Sequence, residues 1–363
     1  MIPVMYPTLN MTILTRESTV GPYPLLSFSL IRYVYSAYES YDGIAPPAPL
    51  DVVQSEKNEH INMAMQDIAG ALVYDPLPDK NFIIDQMRTV GKWIAGRILP
   101  DNCFHCCSNG LLPRTISILS DQDDIPWELT VITNKFLSEL AVHARFPFVA
   151  SGRRAPIQYA TPPRMLVIIG RSNDLPHVQL EIDELQQVYK TFPNHTIDIL
   201  RGEGVTPSTI RSCLENGKHG VPYDIVHFIG HGSASGDKLW LELPGLPFLL
   251  DDVPRIIRGN PIVFWNSCFS ASSASPRRYQ PEISSGFGNR LLAGGASHFI
   301  GTLLPIPDRT ARQLSCKFYE YIFNDLTVGE ALFRAKSDVG AQDALVHTYA
   351  LYGNPHIRIN GHG

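Results

Sequence analysis

From Tyr223 to Gly232 the chain reads YDIVHFIGHG, an apolar run with strand character that stops at a histidine between two glycines. A run without polar alternation suits a strand buried on both faces, as in a parallel sheet covered by helices. A second run, PIVFWNSC (261–268), halts at Asn266 and is followed by Cys268. In open parallel sheets, reactive groups gather at the carboxyl ends of the strands. His231 and Cys268 are therefore the first candidates for chemistry. Taken alone, a strand-end cysteine is usually a packed thiol.

The flanks extend the pattern. MLVIIG (165–170), IDIL (197–200) and SHFIGTLL (297–304) read as further strands. Leu185, Val188, Tyr189 and Phe192 fall at helical spacing. Thr206-Pro207 opens another helix with an N-cap and a first-turn proline, and Asn216-Gly217 closes it. Ser285–Ala293 and Thr310–Phe323 read as helical, and Thr327 with Glu330 forms a capping box for one more helix. Strand–helix alternation predicts an α/β fold whose sheet is mostly parallel, with helices on both faces. SGRRAPIQYATPPR (151–164) reads as a linker between an N-terminal lobe, residues 1–150, and this core, residues 165–363. Within the lobe, 57–98 look helical, with Ile61, Met65 and Ile68 on one face, and the Pro-rich Gly43–Leu50 reads as a loop.

At 363 residues the chain is long enough for two domains or one domain with a lobe. Apolar residues make up 44%, charged residues 18%, and net charge is −5 without a block of like charges. That balance points away from nucleic acid as a partner. No uninterrupted apolar stretch is long enough to span a bilayer, so stable membrane insertion is not expected, and the N-terminus reads as no secretory signal. The six cysteines are sparse and three are crowded, which fits reduced thiols in a cytoplasm.

A thiol within reach of an imidazole is the minimum for thiolate attack on a carbonyl. Gly230 and Gly232 free the backbone around His231 for a close approach. Backbone N–H groups beside His231 and at Cys268 suit a developing oxyanion.

IVHFIGHG followed by VFWNSC resembles the CHAT branch of the caspase-like (clan CD) cysteine peptidases. Ile125-Pro126-Trp127-Glu128-Leu129 matches the PWE-type segment of that branch, and Tyr352-Gly353-Asn354-Pro355 resembles its Gly-Asp-Pro element. The resemblance covers roughly residues 110–360. It implies a three-layer αβα sandwich, with the lobe open to being a decayed copy of the same fold. It implies His231 as general base, Cys268 as nucleophile and the Gly232 N–H in the oxyanion hole. It also implies a cysteine endopeptidase acting on a protein substrate, with bacterial defence or regulated death, a gasdermin-like or other effector as substrate, and a protein activator as family-level expectations. The alternative is a non-catalytic interaction module that keeps the fold and the motif. Asn354 departs from the family's aspartate, and no tetratricopeptide repeat precedes the core.

Arg171 and Asp174, in the loop after MLVIIG, stand where a substrate pocket is expected; Arg171 suits an acidic side chain, Asp174 a basic one, and either suits open water. Asn266 lines that pocket, orients the loop or simply ends the strand. His227 reads as a packed or hydrogen-bonded histidine. Arg277-Arg278, in a flexible Ser-rich stretch after Cys268, is a site for self-cleavage if basic residues are preferred. Cys103, Cys106 and Cys107 lack a second ligand pair at finger spacing, so no metal is assigned. Asp121–Asp124 and Asp251-Asp252 read as loop or capping residues rather than a calcium site. No cofactor motif is present: Gly230 to Gly236 has the wrong spacing for a dinucleotide loop.

Overall fold

Continuous apolar runs do become strands covered on both faces. The structure, a computed structural model, describes residues 8–13, 31–35, 39–43, 53–73, 79–98, 115–120, 125–147, 159–160, 162–190, 196–235, 238–272 and 286–359. The loop at 44–50, the Cys103/Cys106/Cys107 cluster, Asp121–Asp124 and Arg277-Arg278 lie outside these residues. The chain divides into two units, Met1–Phe148 and Val149–Gly363.

The first unit carries β1 (Thr8–Ile13), β2 (Ile31–Tyr35), β3 (Glu39–Gly43), α1 (Val53–Val73), α2 (Lys80–Trp93) and β4 (Thr115–Ser120). A 3-10 turn at Trp127–Leu129, the short pair β5 (Val131–Ile132) and β6 (Lys135–Phe136), α3 (Leu137–Leu140) and β7 (Val142–Pro147) follow. Its strands run in the order β3-β2-β1-β4-β7, parallel from β1 to β7 and antiparallel at β2 and β3. Ile61 and Ile68 of α1 are buried, on the face that their spacing predicts.

The second unit holds β8 (Arg164–Ile169), α4 (Val178–Tyr189), β9 (Thr196–Leu200), α5 (Pro207–Asn216) and β10 (Ile225–Ile229). A small antiparallel sheet follows: β11 (Gly232–Ser235), β12 (Lys238–Leu241) and β13 (Phe248–Leu249). Then come β14 (Ile262–Asn266), α6 (Phe287–Gly294), β15 (His298–Thr302), α7 (Asp308–Phe323), α8 (Val328–Gly340) and β16 (Tyr349–Gly353). The main sheet of this unit runs β16-β15-β14-β10-β8-β9, parallel throughout except for β16.

Helices cover both faces of that sheet. His227 and Phe264 meet Tyr319 of α7 on one face. Trp265, one residue further along β14, sits edge-on to Phe287 of α6, with centroids 4.7 Å apart, on the other. Every residue of β10 and β14 is buried, including Trp265. Burying one such aromatic contributes about 2–3 kcal/mol. This is the mostly parallel αβα arrangement expected from the strand–helix alternation. The helix signals hold too: the Thr206 hydroxyl accepts from Thr209 N–H at 3.1 Å, and Thr327 and Glu330 cap α8 reciprocally.

Candidate active site

The register of the sheet brings three strand exits together. In β10, Ile229 lies beside Ile169 of β8 on one side and Asn266 of β14 on the other. Beyond the strands the backbone keeps bonding. Gly170 N–H donates to Ile229 O at 2.8 Å, His231 N–H to Arg171 O at 3.3 Å, and Glu242 N–H to His231 O at 2.9 Å. The histidine turn is thus held between the exits of β8 and β12. Glycine at 232 is a requirement of space. A Cβ there would collide with the Cys268 carbonyl oxygen and come within 3.1 Å of Ser267 Oγ. The His-Gly turn and the Ser-Cys turn are therefore in backbone contact, although 36 positions separate Gly232 from Cys268.

His231 Nε2 lies 2.7 Å from Asp174 Oδ1. The hydrogen bond to His231 holds the Asp174 carboxyl below the usual carboxylate range, so it is ionised and only accepts. In the neutral imidazole Nε2 then carries the proton, which leaves the Nδ1 lone pair open. The Asp174 side chain is 64% exposed and that of His231 26% exposed. Cys268 is partly buried. Burial pushes its thiol up, partly opposed by the backbone N–H of Ile306, and the Glu242 charge adds to the rise. Among the described residues no hydrogen bond joins His231 to Cys268, and burial favours the protonated form of the thiol.

A family model for the CHAT domain matches residues 115–353, well over half of the chain. The chain belongs to the CHAT family. Its fold is therefore that of the caspase-like domains. Two crystal structures of the Saccharomyces cerevisiae separase–securin complex, at 2.6 and 3.0 Å resolution, are similar at 14% identity with TM-scores of 0.47 and 0.46. Each alignment covers 83% of this chain but only 23% and 22% of the matched chain, so this chain spans about a quarter of their length. A search of curated proteins found no match.

The remaining CHAT motifs are architectural. Trp127 and Glu128 are buried, and Arg145 binds Glu128 through both carboxylate oxygens, with Nε to Oε1 at 2.7 Å. Asn354 Oδ1 accepts from His356 N–H at 3.0 Å, closing a turn, while its carbonyl lies 2.7 Å from His298 Nε2. An aspartate could accept that turn bond equally well, so the departure at 354 changes charge and not geometry. Gly353 before it has φ +115°, which side chains rarely adopt.

The other candidates in this CHAT domain fall in different places. Arg171 pairs with Glu242 at 3.2 Å, and Glu242 also accepts from Ser233 at 2.7 Å. Asp174 is committed to His231. Asn266 is buried, with its amide bonded to Glu181 and Tyr349. Asp251 pairs with Arg290, and Asp252 with Arg211. Among the described residues no group of His, Cys, Asp and Glu could hold a metal. Burial pushes the thiols of Cys213 and Cys316 up.

Two carboxylates near the pair, Asp308 and Glu181, carry no mark in the sequence pattern around His231 and Cys268. Asp308, the first residue of α7, accepts from His177 N–H at 2.7 Å; burial pushes its carboxyl up, partly opposed by that bond. Glu181 of α4 lies buried beneath the strands. Its Oε1 lies 3.0 Å from His227 Nε2, accepts from Asn266 Nδ2 at 2.7 Å, and also accepts the Ser315 hydroxyl. The network continues from His227 Nδ1 to Tyr319 at 3.2 Å, and from Asn266 Oδ1 to the Tyr349 hydroxyl at 2.5 Å. A signal for Glu181 existed: it shares the helical face of Val178, Ile182 and Leu185, all buried.

Proposed function

We propose that the chain is a cysteine endopeptidase working through Cys268 and His231. One observation carries this reading: at the ends of neighbouring parallel strands, the backbone bearing an Asp-oriented histidine touches the backbone bearing a cysteine. His231 Nδ1 removes the thiol proton, and the sulfur attacks the carbonyl carbon of the scissile peptide bond. The tetrahedral oxyanion is held by N–H groups at Gly232 and Cys268. The C–N bond then breaks, His231 returns its proton to the leaving amine, and water hydrolyses the thioester to regenerate the thiol.

The charges around the site favour a substrate with a basic side chain before the cleaved bond. Asp174 and Asp308 lie near His231, while the neighbouring Arg171 and Glu242 pair with and cancel each other, so the balance around the site is negative. Arg277-Arg278 then becomes a site for self-processing. The CHAT relationship suggests a regulated protease in bacterial defence or cell death, acting on a gasdermin-like or other effector protein in the cytoplasm and switched on by a protein partner. The protonated thiol fits a resting enzyme awaiting such a partner. The same thiol favours the second reading, a non-catalytic interaction module. Among the described residues no helix is long and apolar enough to cross a membrane.

Cleavage-site proteomics with the chain and its Cys268→Ala variant separates the readings. We expect neo-termini after Arg or Lys, including at Arg277 or Arg278, that vanish in the variant. Identical terminus profiles from both proteins, each expressed in cells of the source organism so that a protein partner is present, would refute the enzyme.

A further inference from the structure

We propose that Glu181 is a positioning residue that fixes the nucleophile and the base relative to each other. The inference rests on the Cys268–His231 reading and deepens it. Its ground is a convergence on one oxygen. Glu181 Oε1 is bonded to His227, four residues before His231 in β10, and to Asn266, two residues before Cys268 in β14. Glu181 itself stands in the first turn of α4, directly after the loop that carries Asp174. All three strand exits of the site are thereby tied to one carboxylate.

A carboxylate is suited to this task where other side chains are not. His227 Nε2, Asn266 Nδ2 and Ser315 Oγ all converge on Oε1, and an ionised oxygen serves several donors at once. Glutamine would bring an NH2 group and lose the charge that holds three donors. Filling space is a task an apolar side chain performs at lower cost than a buried charge. The outer members are fixed in direction too. The Tyr349 hydroxyl must donate to Asn266 Oδ1, because an amide oxygen only accepts, and that sets the amide with its NH2 toward Glu181. Burial and the Glu181 charge push the hydroxyls of Tyr319 and Tyr349 well up, so both remain protonated. A displaced strand end matters because misplacement of about 1 Å in a reacting group costs about a hundredfold in rate.

The test uses the full chain and a panel of peptidyl acyloxymethyl ketones bearing Arg, Lys, Leu, Met or Asp next to the electrophile. Labelling of Cys268 is followed by intact mass and resolved into a maximal rate and a half-saturating concentration. For the fastest probe, Glu181→Gln should lower the maximal rate at least tenfold and leave half-saturation within twofold, in protein whose circular dichroism is native. The double variant Glu181→Gln/Asn266→Asp moves the carboxylate to the other end of the same hydrogen bond and should recover at least half of the lost rate on a logarithmic scale. Should Glu181→Gln not fold, Tyr349→Phe releases Asn266 from the far side and should lower the maximal rate at least threefold, again without moving half-saturation. Native Glu181→Gln protein labelled at the wild-type rate would overturn the positioning role and leave the enzyme standing, as would unchanged Tyr349→Phe where Glu181→Gln is unfolded. Wild-type chain that no probe labels at Cys268, or labels as fast after His231→Ala, would overturn the enzyme and this inference with it.

Discussion

A histidine serves a thiol only through the nitrogen that its other partner leaves open. In His231 that partner is Asp174 on Nε2, and the open position is Nδ1. His231→Ala should lower probe labelling of Cys268 by about 10²–10⁴-fold. Asp174→Ala should lower it about tenfold in the wild type and hardly at all beside His231→Ala, since residues acting as a unit are not additive. The Asp174 carboxyl is held low by its bond to His231. That contact is therefore intact above the ordinary carboxylate range of about 4 and is lost only as pH falls through the lower folded-state value. It does not titrate at neutral pH. The thiol behaves oppositely: burial raises it, so the fully protonated form extends past the usual thiol range of about 8.5. Iodoacetamide alkylation of Cys268 in the resting chain should keep rising above pH 9. A plateau below pH 7 would show a preformed thiolate and contradict the protonated resting state. At this scale Cys268 and His231 were legible because each ends an apolar run. Asp174 was legible only as a charge in a loop, since nothing in the sequence says which way a loop carboxylate turns.

Elements were legible in proportion to how completely they are buried. MLVII, IVHFI and IVFWN are covered on both faces, so their composition alone marks them as strands. The sheet of β11, β12 and β13 was not legible. Its strands are short and begin in GSAS, small polar residues whose extended form is set by pairing with KLWL. Nor were β1, β2 and β3, which lie in segments without clear alternation. Glu181 was legible only through its place on the face of Val178, Ile182 and Leu185, since the acids Asp183 and Glu184 nearby make one more acid in VQLEIDELQQVY unremarkable by composition. Burial also sets which elements tolerate change. Trp265 touches Phe248, Phe287 and Phe299 within one aromatic cluster. Trp265→Ala should cost about 3–5 kcal/mol in urea denaturation, whereas an exposed replacement such as Leu246→Ala should stay within about 0.5 kcal/mol.

For the whole molecule, the CHAT match begins at residue 115, so β4, the Trp127–Leu129 turn and β7 of the first unit belong to the family region. The buried pair of Arg145 and Glu128 holds that part together, with Arg145 also donating to Ile125 O at 3.0 Å. Arg145→Ala leaves Glu128 charged and buried, and should cost about 3–5 kcal/mol in chemical denaturation. A loss below about 1 kcal/mol would mean that water reaches Glu128 and that the pair is not sealed. The PWE segment announced itself in the sequence, but its partner Arg145, 17 residues beyond Glu128, did not, because β7 carries no pattern that distinguishes an inward arginine.

The contact between Gly232 and the Cys268 carbonyl has a mechanical consequence. With no side chain between them, the two turns pack backbone against backbone. A partner that tugs on the chain after Cys268 would transmit that displacement straight to the histidine turn. On the proposed reading, one displacement would then serve both members of the pair.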